Sequence, residues 1–183
     1  MNIKQQRSAL RRSFEDIATP EVEVMLTGGV VGISKKVEGG CGPYFNAYIL
    51  DSDPHTVNFG IKTIDSSGNR DPLFRQYRAN ELAAHAIAYF KLGGDIRGIN
   101  FNWMAPGGKD VRSDNYTTYL NARNELQGQM SPEEARVAAA YATWTVQKIA
   151  IPNGFTEIRD VHEFYGMVAD PCEVIGTVWK SDR

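Results

Sequence analysis

Three groups of residues in this 183-residue chain have the types and spacing that chemistry needs. Arg78, Glu81 and His85 stand three and four positions apart, which puts them on successive turns of one helix stripe. A carboxylate beside an imidazole fixes its tautomer and favours proton exchange. His85 is therefore the candidate acid–base, Glu81 its orienter and Arg78 an anion clamp. The same spacing also describes a solvated helix face with an ordinary i,i+4 ion pair. Ala83, Ala84 and Ala86 are small, and they let a ligand come close to the helix at His85.

The second group is Ile99-Asn100-Phe101-Asn102-Trp103. Strand alternation places the three apolar residues on one face and both asparagines on the other. Asparagine is a poor strand former, so Asn100 and Asn102 read either as substrate-reading amides or as a solvent-facing edge. The third group follows at once, in the loop from Ala105 to Tyr116. Gly107 and Gly108 permit a close approach of backbone to ligand, and the helix start that follows favours an anion. Lys109, Arg112 and Asn115 would supply the contacts. Walker A spacing is absent, Asp110 and Asp114 oppose a phosphate, and an ordinary surface loop with a helix cap fits the same residues.

Other signals are weaker. Gly28-Gly29-Val30-Val31-Gly32 lacks dinucleotide-fingerprint spacing and reads as a strand bulge. Cys41 sits in a glycine cluster before a strand, without the helix start or histidine that activates a thiol. Cys41 and Cys172 read as two reduced thiols, with a single long-range disulfide left open. His55, His85 and His162 form no metal-ligand pattern, and the sequence points to no metal and no cofactor.

These groups need elements to hold them. Residues 3–17 carry Ile3, Leu10, Phe14 and Ile17 at helical spacing. Residues 21–65 alternate as four strands in an antiparallel meander, with turn chemistry at 51–54 and 65–69. Asp71-Pro72 opens a helix to about Leu92, and Ile96–Met104 is a strand. A helix over 114–127 follows, then one over 131–150 that opens on the capping box Ser131-Pro132-Glu133-Glu134. On that last helix Val137, Tyr141, Trp144 and Lys148 form one stripe and alanines fill the rest, so it is expected to be buried. Thr143 and Thr145 would bond back to its backbone. Residues 155–161 and 172–179 are strands. The pattern predicts one α+β domain over 1–183, with a mostly antiparallel sheet, an N-terminal strand meander, and cover from the helices near 72–92 and 131–150. A cleft is expected where the strand 96–104 runs into the loop that follows.

Composition narrows the function classes. With 42% apolar and 23% charged residues the chain is ordinary globular protein. A net charge of −2 argues against coating nucleic acid or anionic membrane by bulk charge. Only the middle, residues 61–130, carries a basic excess, 9 against 7. Arg11-Arg12-Ser13-Phe14 looks like a twin-arginine signal, but Glu15 and Asp16 follow it instead of an apolar stretch. The expectation is a cytoplasmic protein, or one secreted without a cleaved signal.

Between Trp103 and Ile158 runs a series of short matches. They are Asn115-Tyr116, Met130-Ser131-Pro132-Glu133-Glu134-Ala135, Ala142-Thr143-Trp144-Thr145 and Gly154-Phe155-Thr156-Glu157-Ile158. The series resembles the C-terminal domains of bacterial polymorphic (Rhs-type) toxins. The resemblance implies a bacterial effector or a stand-alone relative, with no particular reaction, since the group holds nucleases, deaminases and transferases. Two expectations follow. One is an effector-type enzyme acting on a nucleotide, nucleic acid or protein. The other is a non-catalytic recognition module with a protein partner (a cognate immunity or toxin protein) or a small anionic ligand.

Overall fold

The computed structural model describes residues 2–37, 42–65, 67–105 and 114–181. The fold is α+β, and the strand pairings within each of its two compact units, 1–96 and 97–183, are antiparallel. Among the described residues no helix is long and apolar enough to cross a membrane.

The first unit opens with helix α1 (Ile3–Glu15), capped by a reciprocal Asn2–Gln5 box. A meander follows: β1 (Val22–Leu26), β2 (Val30–Lys35), β3 (Tyr44–Leu50) and β4 (Asp53–Lys62). Leu26 faces Val31, Ile33 faces Phe45 and Ala47 faces Phe59. Gly28-Gly29 is not a bulge. The Thr27 amide bonds the Val30 carbonyl at 2.9 Å, which closes a tight hairpin turn between β1 and β2. Val31, Ile33, Phe45, Ala47 and Val57 are buried, as one face of an alternating sheet must be.

The expected helix over 72–92 is two helices, α2 (Pro72–Gln76) and α3 (Ala79–Lys91), separated by extended backbone at Tyr77 and Arg78. The reason is phase. At 100° per residue a continuous helix would set Phe74 and Ala79 about 140° apart. The break lets Phe74, Ala79, Leu82 and Ala83 all be buried. α3 packs on β3, and α1 packs on α3 and β1.

Asp71 caps α2 through the Leu73 amide at 2.9 Å, and its other carboxylate oxygen accepts from Lys35 Nζ at 2.9 Å. Burial pushes this carboxyl up, but bonds from Lys35 and the Leu73 amide outweigh it, and its pKa lies below the ordinary value. Its contribution is therefore complete above the unfolded carboxyl pKa and is lost as pH falls through the lower folded one. Asp71→Ala is expected to cost about 2 kcal/mol at pH 7. Denaturant unfolding followed by far-ultraviolet circular dichroism checks this, with a smaller deficit expected in acid.

The second unit is a three-stranded sheet with β7 (Pro171–Lys180) between β5 (Gly98–Met104) and β6 (Phe155–Tyr165). Helices α4 (Asp114–Leu126) and α5 (Pro132–Tyr141) pack on each other, α4 on β5 and α5 on β6. Ser131 opens α5 with the expected box: its hydroxyl accepts from the Glu134 amide, and Glu134 accepts from the Ser131 amide.

The helix expected to run to Ala150 ends at Tyr141. A π-helical turn, Thr145–Ala150, and a short 3-10 turn, Ile151–Asn153, follow it. Thr143 is buried and its hydroxyl donates to the Ala140 carbonyl at 2.7 Å, the expected back-bond. The buried positions Ala135, Ala139, Thr143, Val146 and Ala150 lie three and four apart on one face, whereas on the opposite face Trp144 and Lys148 of the expected core stripe are exposed and Val137 and Tyr141 are half-buried. Gly154 closes the segment at φ +84°, a left-handed position that suits glycine.

Candidate functional site

The first two predicted groups each have a definite place within one unit. Arg78, Glu81 and His85 are exposed in the first unit. Arg78 is the N-cap residue of α3, in extended conformation and without a side-chain capping bond, so it does not continue a helix stripe. The His85 ring stands edge-on to buried Phe14 of α1, 6.2 Å between centroids.

The asparagines belong to the second unit, and the structure supplies the reason for two on one strand face. Asn100 Oδ1 accepts from the Thr177 hydroxyl at 2.6 Å, and Asn102 Nδ2 donates to Glu173 at 2.7 Å. Both partners lie on β7, so these amides cross-link adjacent strands. Asn115 likewise accepts from the Thr145 amide at 3.0 Å and so holds the start of the π turn against α4. Its neighbour Tyr116 donates to the Pro171 carbonyl. Lys109, Arg112 and Cys41, together with the loop of the expected cleft, lie outside the described residues. Cys172 is an exposed free thiol that donates to the Phe164 carbonyl at 3.1 Å. Among the described residues no group of acidic, histidine and cysteine side chains is arranged to hold a metal.

Two clusters lie elsewhere. In the second unit the Glu163 carboxylate is 5% exposed and accepts three bonds: Tyr119 at 2.7 Å, Arg123 at 2.8 Å and Tyr165 at 2.7 Å. Burial pushes the Glu163 carboxyl up. The three donors and the guanidinium charge outweigh it and bring it below the ordinary value. Burial and the neighbouring carboxylate push the Tyr119 phenol far up, so it remains a donor. All three acceptor bonds are satisfied within the fold, which makes this a polar clasp between α4 and the hairpin of β6 and β7.

The other cluster is an open groove of about 380 Å³ in the first unit. Lys4, Arg7, Ser8 and Arg11 line it from α1, Leu26, Thr27 and Gly28 from the β1–β2 turn, and Tyr89 from α3. The Arg7 guanidinium lies 4.9 Å from the centroid of the Tyr89 ring, and Tyr89 donates to the Thr27 carbonyl at 3.3 Å. A ring face attracts a cation without cancelling its charge. Neither Lys4 nor Arg7 meets a carboxylate among the described residues, and Arg11 pairs only with Glu15 on the exposed face of α1.

Both clusters escaped the sequence reading, though part of the groove was visible there. Lys4, Arg7 and Arg11 recur at helical spacing, and no acidic residue precedes Glu15. The clasp gives no such signal, because Glu163 is 40 residues from Arg123. No family model, no curated protein and no solved structure matches the chain.

Proposed function

We propose that the protein is a non-catalytic recognition module in a bacterial effector setting, and that it recognises an anionic ligand or surface through the groove on α1. The observation that carries this reading is a contrast in how polar groups are used. Asn100, Asn102 and Asn115, expected as substrate readers, are bonded to Thr177, Glu173 and Thr145. Each therefore gives one end of its amide to holding the fold, which accounts for an asparagine there without a ligand. The groove instead presents Lys4 and Arg7 without carboxylate partners, one of them steadied by an aromatic ring. The resemblance of residues 103–158 to Rhs-type toxin domains supports the effector setting. A cognate toxin or immunity protein would then be a natural partner.

Expression in a bacterial host tests the choice between recognition and catalysis. The wild-type chain and its His85→Ala and Glu81→Gln variants are expected to leave growth unchanged. A wild-type growth defect that either substitution removes would overturn the recognition reading and make the domain an effector enzyme.

A further inference from the structure

We infer that the groove on α1 takes a small phosphorylated molecule, with its phosphate seated against Arg7. The inference rests on the recognition reading above and names the ligand of that same site.

Four observations lead there. First, the donors outnumber what a carboxylate can use. Two guanidinium groups and one ammonium share the groove with the hydroxyls of Ser8 and Thr27. The Thr27 oxygen already accepts from the amides of Gly29 and Val30, so its own hydrogen is left to donate. A phosphate, with three terminal oxygens and up to two charges, matches such a set.

Second, the backbone is approachable. A Cβ at Gly28 would meet nothing within 4 Å, and no intramolecular bond occupies its amide among the described residues. Third, the competing acid is weakly held. Glu15 and Arg11 are both about half exposed, so their pair exchanges readily for a stronger anion.

Fourth, size and charge favour a small ligand over a polymer. The groove volume is on the scale of small-molecule sites. The first 96 residues carry 11 basic and 11 acidic side chains, so no broad positive field surrounds it.

Amide-resolved NMR titration of the full chain tests the inference. The probes are inorganic pyrophosphate, a nucleoside 5′-monophosphate, sulfate, acetate and a single-stranded oligonucleotide. Pyrophosphate and the mononucleotide are expected to bind, with shifts centred on 4–11 and 27–29. Arg7→Ala should weaken binding by about tenfold or more, and Arg7→Lys should recover only part, because an ammonium cannot bond a phosphate in the bidentate manner. Lys4→Gln, at an exposed position on the groove, should weaken it about threefold without touching the fold. A thermal melt of each variant separates lost binding from lost structure.

Equal binding of sulfate or acetate, or binding indifferent to Arg7→Ala in a folded variant, would overturn the phosphate site. So would an oligonucleotide bound far more tightly than the mononucleotide, which would point to nucleic acid. Failure of the recognition reading looks different: toxicity that depends on His85, with phosphate binding intact. Loss of phosphate binding in a harmless protein sinks the ligand assignment alone.

Discussion

Glu163→Ala is expected to destabilise the second unit by about 3 to 4 kcal/mol, the usual cost of stripping one partner from a buried ion pair. The carboxylate is the shared acceptor of Tyr119, Arg123 and Tyr165. Without it a mostly buried guanidinium keeps only Asn124, Tyr165 and a long contact to Asp170 at 3.6 Å. Two phenols also lose their acceptor. Glu163→Gln keeps the shape and one carbonyl oxygen, so it should cost less, about 1 to 2 kcal/mol. All three tryptophans, Trp103, Trp144 and Trp179, fall in this unit, so their fluorescence reports its unfolding selectively.

The pH dependence has a definite sign. Glu163 titrates below its unfolded value in the native protein. Its contribution is complete above the unfolded carboxyl pKa and disappears as pH falls through the lower folded one. Wild type and Glu163→Gln should therefore converge in stability on acidification, because protonation does to the one what the amide does to the other. A gap between them that is constant from neutral to strongly acid pH would show that the clasp does not depend on the carboxylate charge.

The clasp also marks where sequence reasoning stops. Strand alternation located β3 to the residue and β5 nearly so, because each has one buried face and a two-residue period is local information. The Ser131 capping box and the N-cap at Asp71 were legible for the same reason. What local patterns miss is phase. Nothing near Tyr77 forbids helix, and the break there exists because Phe74 and Ala79 must both be buried. Over 135–150 two faces have helical spacing, and which one is buried is set by what the segment packs on: the face of Ala135, Ala139, Thr143 and Val146 goes inside and Trp144 lies outside.

The candidate site divides along the same line. Two asparagines on one strand face were correctly placed on the side away from Phe101. Their partners, Thr177 and Glu173, depend on the register of β5 against β7, some 70 residues on. Register is a property of the assembled sheet. The cations of α1 were visible as a spacing, but they become a groove only when the Thr27–Gly28 turn and Tyr89 close its other sides.

Gly176→Ala should be strongly destabilising for the addition of a single methyl group, at about 3 kcal/mol. Gly176 sits in the central strand, opposite Phe101 on one side and Val161 on the other. An added Cβ would run into the Phe101 ring and come within 2.8 Å of the Asp160 carbonyl oxygen. Neither neighbour gives way cheaply. The Phe101 ring is stacked on Trp103 with centroids 4.1 Å apart, and Trp103 in turn lies against Tyr119. The carbonyl is backbone, beside an irregularity in β6 that falls between Ile158 and Val161.

Gly60→Ala is the matched control. Gly60 is also a strand glycine, but there a Cβ meets the edge of the Tyr44 ring at 3.4 Å and Asn46 Cβ at 4.0 Å, both ordinary contacts, and stability should change by no more than about 0.5 kcal/mol. In the double variant Gly176→Ala/Phe101→Leu, the smaller side chain should return part of the loss, leaving the share owed to the Asp160 carbonyl. Phe101→Leu must then cost less in the Gly176→Ala background than in wild type, the coupling a double-mutant cycle measures. Additive losses would mean that the ring and the glycine do not meet, and the register of β5 on β7 would have to be redrawn.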